Sequence, residues 1–315
     1  MSPEEVRAFE GDKAKALKGD PAAQNNLGVC YDNGTGVVKD AVEAAKWYRK
    51  AADQGNADAQ NSLGNCYLIG EGVEKDAVEA VKWYRKAADQ GDANAQSNLG
   101  VCYGDGVGVA QDVVEAVKWH RKAADQGKEQ AQFNLGICYC KGEGVAKDMV
   151  EAVKWYRRAA SQENAVAQNN LAACYFGGEG VAKDEVAAVR WWRKAADQGD
   201  AQAQSNLGNC YAGGEGVAKD EVAAVKWWRK AADLGNAQAQ SNLGLCYDKG
   251  VGTAKDAVEA YAYYNLAGIT NEIARSNRDM LEKKLSPEVV LRGQQRTKEL
   301  QKEIDAKIAA KKVGK

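Results

Sequence analysis

The chain carries a single histidine among 315 residues, so a catalytic site in which a histidine base activates serine or cysteine is nearly excluded. No stretch approaches the roughly 18 consecutive apolar residues of a membrane-crossing helix, and no membrane insertion is expected. The opening MSPEEVRAFEGDKAKALKGD lacks the apolar core of a signal peptide. The expected location is therefore cytoplasmic, with a secreted or periplasmic life requiring a leader removed beforehand. A strong charge excess is missing too: 43 Lys and Arg against 44 Asp and Glu give a net charge of −1. Binding to a phosphate backbone needs a basic surface, and nucleic acid is not expected as a partner. The balance is uneven, because residues 271–315 hold 12 Lys and Arg against 7 Asp and Glu, a net of +5 that leaves −6 for the rest.

What the chain does have is repetition. In steps of 36 residues, Cys30, Cys66, Cys102, Cys138, Cys174, Cys210 and Cys246 form one column, and Trp47, Trp83, Trp119, Trp155, Trp191, Trp227 and Tyr263 another. No insertion breaks the register, so this length reads as one repetitive body. A first helix in each unit is marked by spacing such as Ala59, Leu63, Cys66 and Tyr67, one face of a 3.6-residue helix. Gly64 and its equivalents lower helix propensity and are expected where a neighbouring helix packs on bare backbone. A two-glycine loop such as Gly70 to Lys75 reverses the chain, and Asp76 caps the second helix, with Glu79 at the spacing of a reciprocal cap. That second helix is expected to bury Val78, Ala80, Val81, Trp83, Tyr84, Ala87 and Ala88. Lys82, Arg85 and Lys86 put cations in its later turns, and Gly91 ends it. One such hairpin cannot bury enough apolar surface to offset its ordering entropy, so each must lean on the next.

The pattern predicts an all-α fold: a right-handed α-solenoid superhelix of seven helix-turn-helix repeats with N-terminal and C-terminal capping helices. The expected segments are a cap over 1–20, repeats at 21–56, 57–92, 93–128, 129–164, 165–200, 201–236 and 237–270, and a C-terminal segment over 271–315. Within the last, a short helix near 273–284 precedes a long charged helix opened by Ser286, Pro287 and Glu288, which caps the solenoid and projects into solvent.

The unit A-x-A-Q-x-x-L-G-x-C-Y-x-x-G-x-G-V-x-x-D-x-x-x-A-x-K-W-Y-R-K-A-A-D-Q-G resembles the Sel1-like repeat, a relative of the tetratricopeptide repeat, over residues 21–270. The closing N-L-A-G…N-R-D-x-L-E-K-K-L-S-P-E is similar to the end of many bacterial members. The resemblance implies an interaction scaffold whose repeats are not catalytic. Cysteine-rich bacterial members carry two disulfide-linked cysteines per repeat, and this chain departs from them by having one.

Chemical alternatives read as structure. Equivalent helices about 8–10 Å apart exceed the ~7 Å reach of a disulfide, so the column cysteines are expected as buried reduced thiols. Cys140, two residues after Cys138, is a C-x-C without histidine partners and a weak metal signal. His120 sits in a column otherwise filled by Tyr or Trp and supplies aromatic bulk. The G-x-G loops follow helices rather than strands and read as turns, not nucleotide sites. No catalytic residue, metal or cofactor is expected.

The surface remains. The Gln24 to Gln240 column, repeated without exception, is expected to serve packing or backbone hydrogen bonds. Beside it Asn26, Asn98, Asn134, Asn170, Asn206 and Asn242 are expected to line a concave face built from the first helices. Specificity is expected from varied positions: Val29, Asn65, Val101, Ile137, Ala173, Asn209 and Leu245, with Asn33, Ile69, Asp105 and Lys141 a turn further, and Phe133 near the centre. Two functions follow: a scaffold holding a protein or peptide on that face, or an assembler that oligomerises or docks through the basic C-terminal helix. A monomer is favoured.

Overall fold

Local capping chemistry cuts the repeats into helices of nearly constant length. This computed structural model describes residues 2–313, among which there are 17 α-helices and no strands. Residues 1, 314 and 315, the outermost ends of the expected capping segments, lie outside the described residues. The chain divides into two compact units, Met1–Arg158 and Ala159–Lys315. The first holds α1 (Pro3–Ala16), α2 (Pro21–Asn33), α3 (Ala41–Asp53), α4 (Ala57–Ile69), α5 (Ala77–Asp89), α6 (Ala93–Asp105), α7 (Val113–Asp125), α8 (Glu129–Lys141) and most of α9 (Met149–Ser161). The second holds the end of α9, then α10 (Ala165–Gly177), α11 (Glu185–Asp197), α12 (Ala201–Gly213), α13 (Glu221–Ala232), α14 (Ala237–Lys249), α15 (Ala257–Ala267), α16 (Glu272–Glu282) and α17 (Pro287–Val313). Even-numbered helices from α2 to α14 are the first, or A, helices of the repeats; odd-numbered ones from α3 to α15 are the B helices.

The second repeat shows how each boundary is set. Asn56 starts α4 by accepting the Ala59 N–H at 2.8 Å, which satisfies an otherwise orphaned donor of the first turn. Gly70 ends the helix at φ +82°, its N–H donating to the Cys66 carbonyl at 2.8 Å. Gly72, at φ +73°, crosses the start of α3 so closely that a Cβ there would lie 1.9 Å from the Ala41 carbonyl oxygen. Asp76 then caps α5, accepting the Glu79 N–H at 3.0 Å. The reciprocal half of that cap does not form. The Asp76 N–H is already donated to the Tyr67 carbonyl at 2.9 Å, and the Glu79 carboxylate accepts instead from Lys82 at 2.9 Å.

Packing follows from the columns. Leu27, Leu63, Leu99, Leu135, Leu171, Leu207 and Leu243 are fully buried, as are most of the column alanines. Trp83 is buried with Ala44, Ala45 and Tyr48 of the preceding repeat, so the tryptophan closes the seam between these two repeats. Arg49 reinforces that seam, donating to the Tyr67 hydroxyl and lying 5.3 Å from the ring centres of both Tyr67 and Trp83. Val78 was expected in the core and is instead 54% exposed. It lies two residues, or about 200°, from Ala80 and shares a face with solvent-facing Lys82.

The ends are closed differently. In α1, Ser2 and Glu5 form the full reciprocal cap, and Phe9 packs edge-on against Tyr31 with ring centres 5.6 Å apart. At the other end α17 does not project into solvent. Leu300 and Ile304 are buried in one cluster with Ala262, Tyr263 and Leu266, Arg296 pairs with Glu259 at 2.7 Å, and Lys307 pairs with Asp233 at 2.7 Å. Lys311 reaches further back and donates to the Gly199 carbonyl at 2.6 Å. The sparse apolar residues of α17 are thus its docking face along the second unit.

Candidate functional site

The glutamine column is structural. Gln60, 4% exposed, donates to the Ala52 carbonyl at 3.1 Å and accepts from Gln90 at 2.7 Å. It satisfies the end of the preceding B helix and the side chain closing its own repeat. Gln24, Gln96 and Gln168 do the same, accepting from Gln54, Gln126 and Gln198. In the sixth repeat Leu234 stands where the second glutamine belongs, and Gln204 Oε1 is buried without a partner. Buried and bonded, these amides do not face a ligand.

The asparagines form a second rail, nearer the surface. Asn98 donates to Asn61 at 2.9 Å and to Asn65 at 3.3 Å, which also accepts from the Tyr84 hydroxyl at 2.7 Å. In the second unit Asn206 donates to Asn169 at 3.2 Å and Asn242 to Asn209 at 3.0 Å. Part of their hydrogen-bonding capacity therefore ties successive A helices together.

Each strip residue is at least partly open to solvent. In the first unit Asn26, Val29, Asn33, Asn65, Ile69, Val101, Asp105 and Lys141 are exposed, and Asn98, Phe133, Asn134 and Ile137 are half-buried. In the second, Ala173, Asn209 and Leu245 are exposed, and Asn170, Asn206 and Asn242 half-buried. Four of them meet at one place. Val101, Asp105, Asn134 and Ile137 line a cavity of about 440 Å³, together with Gly104, Val113, Ala116, His120, Gln130, Cys138 and Glu143. In the second unit the columns of Gly104, Ala116, His120, Asn134, Ile137 and Cys138 recur as Ala212, Ala224, Trp228, Asn242, Leu245 and Cys246, around a cavity of about 250 Å³. The B-helix residues of these cavities escaped sequence reasoning, although Gly104, standing where Leu68 and Phe176 stand in other repeats, was a visible signal.

Titratable groups in the strip are tuned by burial rather than for chemistry. Burial pushes His120 down to about 4. Its Nδ1 is buried without a hydrogen-bond partner, the ring packing on the backbone of Gly100. Burial raises the thiols of Cys66, Cys102 and Cys246 to about 11 and that of Cys210 to about 12, which keeps them protonated and inert near neutrality. Among the described residues no group of three His, Cys, Asp or Glu side chains is placed to hold a metal ion. No described helix is long and apolar enough to cross a membrane.

The model of the Sel1 repeat family matches residues 21–56, 57–92, 93–128, 129–164, 165–200, 201–236 and 237–268. The chain belongs to the Sel1 repeat family. Among solved structures it is similar to a Sel1 repeat protein from Oxalobacter formigenes, at 35% identity and a TM-score of 0.69, over 87% of this chain and 80% of that one. It is also similar to a protective antigen of uropathogenic Escherichia coli displaying an SLR fold, at 33% identity and a TM-score of 0.47, over 97% of this chain and 81% of that one. A search of curated proteins finds no match. Sel1 repeats generally mediate protein interactions and are typically non-catalytic. In these seven repeats the buried columns hold their residue type almost throughout, whereas the solvent-facing A-helix position reads Val29, Asn65, Val101, Ile137, Ala173, Asn209 and Leu245.

Proposed function

We propose that this Sel1 repeat protein is a non-catalytic scaffold that holds a partner protein or peptide on the strip presented by its A helices. One observation carries the reading: the A-helix position running from Val29 to Leu245 is open to solvent and changes residue at every repeat, while the near-constant columns are consumed by packing. A surface that is polar and apolar by turns, and differs at each 36-residue step, suits recognition of a particular sequence. Unpaired thiols at Cys66, Cys102, Cys210 and Cys246 suit a reducing compartment, and we place the protein in the cytoplasm.

Capture from host lysate tests the reading. Phe133→Asp with Ile137→Asp is expected to reduce recovery of the partner at least about tenfold, a cost of ~1.4 kcal/mol, with the helical circular-dichroism signal retained. Undiminished recovery by a folded double variant removes the strip from consideration. The rival reading, assembly through α17, is weakened by the burial of Leu300 and Ile304 and the pairing of Lys307 within the chain. Reversing the exposed charges of Lys298 and Lys302 is accordingly expected to leave both the mass in light scattering and partner capture unchanged.

A further inference from the structure

We propose that the cavity between the third and fourth repeats is an anchor pocket for one large aliphatic side chain of an extended partner segment, with an adjacent Lys or Arg held by Asp105 and Glu143. This rests on the scaffold reading and names the chemistry its partner carries.

The pocket is opened by departures from the repeat. Gly104 leaves empty the space that Leu68 and Phe176 occupy in their own repeats, and Phe176 fills it far enough to lie 5.3 Å from the ring of Trp192. His120 is shorter than the tyrosine of that column. Val101 stands where Asn65 accepts from the Tyr84 hydroxyl at 2.7 Å and presents an apolar wall instead. A small residue, a short ring and an apolar wall thus coincide on α6 and α7, facing Ile137 of α8.

Charge fixes the neighbour. The charged side chains lining the cavity are Asp105 and Glu143, both acidic. Asp105 has no ion-pair partner among the described residues, and Glu143 meets only Lys141, at 3.6 Å between well-exposed side chains, a contact that contributes little. An aliphatic group entering between Val101 and Ile137 therefore brings its neighbouring residue against uncompensated negative charge. The corresponding cavity of the second unit is lined by one acid and one base, Glu221 and Lys249, and lacks this preference.

The test uses the full chain with isotope-labelled isoleucine and valine methyls and the probe N-acetyl-Leu-Lys-amide. Saturable shifts of the Ile137 and Val101 methyls are expected with a Kd of about 1–10 mM, weakened at least about tenfold for N-acetyl-Ala-Lys-amide and N-acetyl-Leu-Glu-amide. Gly104→Leu is expected to abolish the shifts without unfolding, since a Cβ at this helical position meets only Ala116 Cβ, at 3.8 Å. Asp105→Asn, on the exposed rim, is expected to remove the preference for Lys over Glu while leaving the Leu preference. Absence of saturation, equal binding of Leu-Lys and Leu-Glu probes, or undiminished binding by folded Gly104→Leu each overturns the pocket. Loss of partner capture by the Phe133 and Ile137 double variant alongside intact capture by Gly104→Leu rejects the pocket and keeps the scaffold.

Discussion

Lowering the pH acts on His120 in a way the structure makes quantitative. Its ring lies against the backbone of Gly100, with Nδ1 unpartnered, and burial takes its pKa from 6.5 to about 4. Below pH 6.5 the unfolded chain takes up a proton that the folded protein refuses, so stability is lost as the pH falls from 6.5 toward 4. It is fully retained above that range. Linkage puts the loss at about 0.8 kcal/mol at pH 6 and about 2 kcal/mol at pH 5. Other groups titrate in the same interval, so the measurement is a difference: urea unfolding of the protein and of His120→Phe, each at pH 7.5, 6 and 5. The gap between their unfolding free energies is expected to shift by about 2 kcal/mol in favour of the phenylalanine variant between pH 7.5 and 5. A gap that is flat across the series refutes the buried, neutral histidine.

Other outcomes follow from packing. Gly64→Ala places a Cβ 2.6 Å from the Tyr84 ring and is expected to cost about 1–3 kcal/mol in denaturant unfolding. Gln60→Leu removes its bonds to the Ala52 carbonyl and from the Gln90 amide, an expected loss of about 0.5–1.5 kcal/mol per hydrogen bond. Gln204→Leu is expected to cost less in the same assay, because its Oε1 already lacks a partner. With thiols raised to about 11, only about one Cys66 or Cys102 side chain in a thousand is ionised at pH 8, so mass spectrometry after iodoacetamide is expected to find Cys140 alkylated well before either.

Much of the fold was legible because the chain states the same physical demand seven times. A column such as Leu63 needs no tertiary knowledge to be placed inside a helix pair, and Gly70, Gly72 and Asp76 announce the turn in sequence. What escaped were details decided by neighbours. Glu79 had the spacing of a reciprocal cap, but the Asp76 amide was claimed by a carbonyl nine residues back. Val78 is apolar yet points with Lys82, where helical phase outweighs residue type. The charged C-terminal helix was expected to cap the solenoid and then project into solvent, whereas Leu300 and Ile304 of α17 are buried with Tyr263 and Leu266. In the candidate site, A-helix periodicity identified Val101, Asp105, Asn134 and Ile137 as one strip. The contribution of Val113 and Ala116 from the facing B helix was hidden, since no period within one helix shows which residues of another complete a cavity.

Placing a photo-crosslinking amino acid at single positions in the presence of the captured partner tests the central claim most directly. Adducts are expected from Val29, Val101, Ala173 and Leu245 on the A helices, and none from Lys82 or Lys118 on the outer face of the B helices. Adducts from the lysine positions alone would contradict the account.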